Sequence, residues 1–264
     1  MALTIREVLE QLIKPVGMLD ATVDTLKSGD PEAPVTGVVV TFMATQYAIQ
    51  QAISLGANLI ITHEALYYNH HDQTKAFEQD PVVQEKQRLI DASGIAVFRY
   101  HDYGHRRQPD IITNGLIKAL GWQDYVQQNQ AAASILAIPA MTVTEIAEHA
   151  KRRLNLPYVR VAGDSDLLCR RVGISVGYRG GGELLIPLFE EGQLELVIAG
   201  EGPEWETPEY VRDAVYQGRN KALLMLGHAE SEMPGMKLLA EELSQQYPQL
   251  PVHFVSDQPV YGIL

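Results

Sequence analysis

Val35-Thr36-Gly37-Val38-Val39-Val40-Thr41-Phe42 is followed by a helical stretch at roughly Thr45 to Leu55 and then by Ala57-Asn58-Leu59-Ile60-Ile61-Thr62-His63. The outer two runs are short and largely apolar, the first rich in β-branched residues, which is how buried strands read. The same order recurs downstream: a helix near Pro81 to Ala92, a strand at 95–100, and a helix near Ile111 to Leu120. Strands alternating with helices predict an α/β fold with a mostly parallel sheet covered on both faces. In such sheets, groups at the carboxyl ends of the strands meet where ligands bind. Upstream, Thr4-Ile5-Arg6-Glu7 is a capping box opening an amphipathic helix that ends near Pro15, with Ile5, Val8, Leu9, Leu12, Ile13 and Val16 recurring at helical spacing.

Between residues 127 and 220 the pattern changes. Gln127-Gln128-Asn129-Gln130 followed by three alanines resembles a linker, and strands are expected at 134–138, 157–162, 171–177 and 194–199. Thr142-Val143-Thr144-Glu145 is a second capping box, and Thr207-Pro208 reads as a Thr N-cap with Pro at the first helical position. The expected organisation is two α/β domains, the first split into 1–126 and 221–264 and the second inserted as 127–220. On this reading the chain re-enters the first sheet with a strand at 222–226, then a helix near Met236 to Gln246 and a last strand at 252–255. Tyr178-Arg179-Gly180-Gly181-Gly182-Glu183 is read as a glycine turn, with an anion cradle as the other reading if a helix follows it.

A hydrophobic content of 46% over 264 residues is enough for a sizeable core. The net charge of −12 argues against binding duplex nucleic acid, which needs clustered Lys and Arg on its phosphates. No stretch approaches the roughly 18 apolar residues of a membrane span, and the first seven residues do not read as a signal peptide, so no membrane partner and a cytoplasmic location are expected. Cys169, the single cysteine, excludes an intrachain disulfide and a thiolate cluster, and is read as a packed structural thiol.

The chemistry lies in the histidines. Three apolar runs each end on one, at His63, His101 and His228, and Glu64, Asp102, His105 and Glu232 follow within four residues. Imidazole and carboxylate donors at strand ends are what a metal site open on one side requires. His149 falls on a polar helix and His253 inside a strand, so both are expected to be structural, while His70 and His71 are read as solvated loop side chains.

Ile60-Ile61-Thr62-His63-Glu64, Arg99-Tyr100-His101-Asp102-Tyr103-Gly104-His105 and Gly227-His228-Ala229-Glu230-Ser231-Glu232 together resemble the three motifs of the Nif-three-like dinuclear-metal-centre hexamer proteins. Members are often named GTP cyclohydrolase I type 2 homologues. Their commoner pattern is Thr-His-His, His-Thr-Asn-Leu-Asp and Gly-His-x-x-x-Glu. By position the resemblance implies metal ligands at His63, Glu64, His105, His228 and Glu232. Glu64 then replaces a histidine and His105 an aspartate, so the summed ligand charge is unchanged. Glu232 is the first choice as bridging carboxylate, with Glu64 as its partner. His101 is either a further ligand or a group that orients one, and Asp102 has the same two readings.

The resemblance implies two divalent ions, Zn or Fe first and Mn, Co or Ni also compatible with the donors. It further implies a homo-hexamer and a metal-dependent hydrolase acting on a small molecule, such as ring opening of a GTP-like nucleotide or phosphoester hydrolysis. Two ions roughly 3.5–4 Å apart make hydroxide available at neutral pH. Glu232, Asp102 and Glu230 are the candidate catalytic carboxylates, the last two as proton shuttles. The competing reading is a non-catalytic metal carrier or sensor that works through interaction partners.

Overall fold

The computed structural model describes residues 3–256 and 258–262. In chain order it runs α1 (Ile5–Ile13), β1 (Leu26–Ser28), β2 (Val38–Thr41), α2 (Gln46–Ser54), β3 (Leu59–Thr62), α3 (Pro81–Ser93), β4 (Ala96–Arg99) and α4 (Asp102–Arg106). It continues with α5 (Ile111–Leu120), β5 (Val126–Asn129), β6 (Ser134–Thr142), α6 (Val143–Leu154), β7 (Arg160–Gly163), β8 (Leu168–Ser175) and α7 (Gly182–Glu191). The remaining elements are β9 (Leu196–Ala199), α8 (Thr207–Tyr216), β10 (Ala222–Met225), α9 (His228–Gln246) and β11 (Val252–Phe254). The chain forms two compact units, Met1–Gln108 with Met236–Leu264 and Pro109–Gly235.

The first unit holds a five-stranded sheet in the order β1-β4-β3-β2-β11. Only β1 is antiparallel to its neighbour. Every residue of β2, β3 and β4 is buried, which is why these strands are apolar throughout rather than alternating. Val39, Ile60 and Val97 pack with Ala48, Ile49 and Ala52 of α2 and with Val83 and Ile90 of α3. Local signals start and stop the helices: Thr45 caps α2 and Asp80 caps α3, which has Pro81 in its first turn and ends at the left-handed Gly94. The register aligns Thr41 with Thr62 and Thr62 with Arg99. The strands therefore stop level, and residues 63 and 100–101 leave from one edge.

The second unit holds a six-stranded sheet in the order β5-β6-β8-β9-β10-β7, with β8, β9 and β10 parallel. Its core joins Val197 and Leu223 to Leu185, Leu188 and Phe189 of α7 and Val211 of α8.

The strand expected to complete the first sheet at 222–226 is β10, and it lies in this second sheet instead, between β9 and β7. The physical reason is that β9, α8 and β10 make a local strand-helix-strand crossover, so β10 pairs with the strand just before it. A fully buried apolar strand reads alike in either sheet. Thr207 differs from its expected role as well. It is the first residue of α8, after Glu206, and its hydroxyl donates to the Gly180 carbonyl at 2.8 Å. Helix α9 starts at His228, well before the expected 236, because the turn signal of Pro234 and Gly235 is overridden and the helix runs through it. A helix does follow the glycine run, but the Gly182 N–H donates at 2.7 Å to Glu206, so the chain's own carboxylate takes the place an anion would have. Among the described residues no helix is long and apolar enough to cross a membrane.

Candidate metal centre

In the first unit the chain leaves β3 at Thr62, and the His63 N–H donates to the Thr41 and Phe42 carbonyls at 3.2 and 3.1 Å. That exit lets His63 and Glu64 escape the strict alternation of a strand. Strand β4 ends at Arg99, and the chain turns at His101 directly into the five-residue α4, which carries His105 one turn on. The turn is enforced from a distance. Asp24 Oδ1 accepts the His101 and Asp102 N–H groups at 2.9 and 3.1 Å, and Oδ2 accepts that of Tyr103 at 2.8 Å. One buried carboxylate thus serves the orphan donors of α4, which has no capping side chain at His101 itself. Burial raises the Asp24 pKa, and these three hydrogen bonds oppose the rise.

This geometry gathers three imidazoles. The His63 ring stacks on His101 at 4.8 Å, and His105 sets its edge to both at 5.0 Å. One donor atom from each lies within 4.8 Å of the others, spacing that suits a single cation. Hydrogen bonds decide which nitrogen His63 and His101 offer. His63 Nδ1 lies 3.0 Å from the Tyr100 carbonyl, which only accepts, so Nδ1 carries the proton and Nε2 the lone pair. His101 Nδ1 lies 3.0 Å from Asp102 Oδ1, giving the same tautomer. Burial, with His63 and His105 close by, pushes the His101 pKa down to about 3, so the ring is neutral and able to ligate at pH 7. Asp102 also accepts from Thr22 Oγ1 at 2.7 Å and the Val23 N–H at 3.1 Å. Burial raises its pKa, but these bonds outweigh burial and bring it to about 2.

The second unit carries its own donors. His228 opens α9, so Glu232 stands one helical turn further on and its Oε2 lies 3.2 Å from His228 Nε2. His228 Nδ1 faces Glu201 Oε2 at 3.0 Å, so the two ring nitrogens lie between two carboxylates, Nδ1 against Glu201 and Nε2 against Glu232. Gly177, at φ +64°, makes room for this pair, because a Cβ there would overlap the Glu232 carboxylate. Its N–H donates at 2.9 Å to Ser231 Oγ, which donates in turn to the His228 carbonyl at 2.7 Å. Glu230 folds back over Gly227, whose φ of +110° and missing side chain leave space for the carboxylate.

A family model described as Duf34/NIF3 (NGG1p interacting factor 3) matches residues 3–259. The chain belongs to the Duf34/NIF3 family. A "GTP cyclohydrolase 1 type 2 homolog" of Clostridium acetobutylicum is 24% identical over 230 residues, covering 83% of this chain and 80% of that protein. One of the same name from Clostridium perfringens is 23% identical over 229 residues, covering 84% and 82%. The fold matches that of a hypothetical protein of Staphylococcus aureus with a TM-score of 0.78 at 18% identity, over 100% of both chains. It also matches a Bacillus cereus protein related to NIF3, with a TM-score of 0.78 at 17% identity over 100% of this chain and 99% of that one.

Within this Duf34/NIF3 chain, His149 is structural as expected: its ring stacks on Trp122 at 5.3 Å, and Nε2 lies 2.7 Å from the Leu120 carbonyl. Cys169 is buried, and burial pushes its thiol up to about 12, as a packed inert cysteine requires. His70 is exposed as expected of a loop residue, yet its ring edge meets His101 at 5.4 Å. Asp24, Arg99 and Glu201 surround the donors and were not among the sequence candidates. Asp24 sits in a loop and Arg99 inside an otherwise apolar run, so neither carries a local signal. Glu201 follows directly on Ala199-Gly200 at a strand end, the one cue that could have found it.

Proposed function

We propose that this Duf34/NIF3 protein binds two divalent metal ions and uses them as a hydrolase. Its ligands on this reading are His63, His101, His105 and Glu64 in the first unit and His228 and Glu232 in the second. The observation that carries it is the cluster of three imidazoles in the first unit, in which His63 and His101 each set Nδ1 against an oxygen acceptor and so leave the Nε2 lone pair to donate. A structural histidine needs no such pattern, and His149 lacks it. Metal held by these donors supplies Lewis acidity and activates water at neutral pH. Asp102 and Glu201 orient imidazoles, Glu232 is a ligand, and Glu230, folded over Gly227, is the candidate proton shuttle. The names of the clostridial relatives support a nucleotide as the first substrate to test, and a homo-hexamer belongs to the same proposal.

The test is elemental analysis of protein purified without chelators, then a screen of that metal form against GTP, cyclic nucleotides and phosphodiesters. Metal near two ions per chain and product release abolished by Glu232→Gln support the reading. Reversible metal exchange with no product across the screen selects the carrier instead. Light scattering checks the hexamer separately.

A further inference from the structure

Arg99 is fully buried in β4, and its guanidinium is engaged on every side within the first unit. Nε donates to the His63 carbonyl at 3.2 Å and Nη1 to the His70 carbonyl. Nη2 donates to Glu64 Oε2 at 3.1 Å and faces His70 Nδ1 at 3.2 Å. A guanidinium is a permanent cation with donors only. Two consequences follow from the chemistry of the partners. Glu64 Oε2, which also accepts the Ala65 N–H at 3.3 Å, is committed to a cation already present, while Oε1 lies 4.0 Å from His101 Nε2. His70 Nδ1 is an acceptor, so its neutral ring carries the proton on Nε2 and neither nitrogen offers a metal its lone pair. Displacing Arg99 from these oxygens would strand a buried charge, which is strongly unfavourable.

We infer that Arg99 is a positioning residue that selects the donors of the first unit. It restricts Glu64 to a single oxygen, keeps His70 out of coordination, and leaves a nitrogen-rich set made of His63, His101 and His105. The inference rests on the metal-binding reading above and deepens it by naming the ion class. Glu64 cannot then act as a two-oxygen bridge, and its charge is balanced by Arg99 rather than by the metal. Three imidazoles with one carboxylate oxygen favour zinc, cobalt or nickel over manganese or magnesium.

The test measures zinc and manganese affinities by chelator competition, together with the visible spectrum of the cobalt form, for wild type, Arg99→Met, Glu64→Gln and the double variant. Arg99→Met keeps the apolar stem but releases Glu64 Oε2. The expected result is a shift of the zinc-to-manganese preference toward manganese by about tenfold, the order seen when groups around a metal ligand are altered. The cobalt bands should weaken as coordination rises, and Glu64→Gln in the Arg99→Met background should cancel both changes. A structural role alone would lower both affinities together and leave their ratio fixed. If Arg99→Met does not fold, Arg99→Lys carries the test, since one ammonium cannot hold Glu64 and His70 at once and should shift the ratio in the same direction. Metal bound with unchanged ratio and spectrum in the folded variant overturns the Arg99 assignment while leaving the metal-binding reading intact. A wild-type protein that binds none of these ions overturns both.

Discussion

The donor groups of the two units reach similar chemistry by different routes. His63, His101 and His105 come from the ends of two neighbouring parallel strands and a short helix, and are fixed by residues distant in sequence, Asp24 above all. His228 and Glu232 come from a single helical turn, and what fixes them is one neighbouring strand-end residue, Glu201, and the space left at Gly177. The first group is therefore a product of sheet register, with His63 and His105 buried and His101 partly open to solvent. The second is built on a local repeat of four residues. A long-range site fails cooperatively when its supports fail, whereas a local one tolerates changes elsewhere in the fold.

The largest expected effect separates the groups directly. His63→Ala and His228→Ala should each lower metal affinity by more than about 100-fold, beyond the range for losing only an orienting partner. Inductively coupled plasma mass spectrometry after dialysis reads the loss. Full wild-type metal in His228→Ala would show that only the first group binds, and the comparison between them would end there.

Next come the oxygen partners of Nδ1. Glu201→Ala should weaken binding by about 10–100-fold through His228, and Asp102→Ala by a similar factor through His101. Competition with a chromophoric chelator measures both. Equal loss would mean that orientation matters alike in the two settings, and a silent Glu201→Ala would mean that the helical turn alone holds His228.

Support from afar should show in stability. Asp24→Ala orphans three backbone donors at α4 and should cost about 1–3 kcal/mol, seen in denaturant unfolding and as faster hydrogen exchange over 101–106. Gly177→Ala forces a side chain into positive φ and onto Glu232, and should cost about 1–3 kcal/mol, with exchange rising at 228–232 instead. Protection lost in the wrong segment would contradict the assignment of either support.

The smallest effect concerns pH. His101 is held neutral by burial, down to about 3 against an ordinary 6.5, so between those values the unfolded chain binds a proton that the folded one refuses. Metal-free protein should accordingly lose stability as pH falls from about 6.5 toward about 3, and His101→Gln should flatten that part of the profile. Thermal melts across this window, with the apo protein, check the sign.

Much of the fold was legible because its signals are local. Capping boxes at Thr4 and Thr142 form as written, and Asp80-Pro81 with Gly94 bound α3 within a residue of the expected limits. The strands at 38–41, 59–62 and 96–99 follow from apolar runs that only a doubly covered sheet buries. The candidate donors were legible too, since a histidine ending an apolar run marks a strand end. Their supports were not. Arg99 looks like a strand residue out of place, and Asp24 like any loop acid, until the register brings Thr25 and Arg99 into hydrogen bonding at 3.2 Å.

From its order of residues alone this chain sets its alternation of strands and helices and the chemical kind of its donors, because periodicity and caps act over a single turn or strand. Folding alone assigns β10 to the second sheet, sets His63 Nδ1 against the Tyr100 carbonyl, and turns Glu64 toward Arg99. Those outcomes depend on which backbone oxygen or buried charge arrives next to a side chain, and such encounters between residues tens of positions apart leave no mark in the spacing of the sequence.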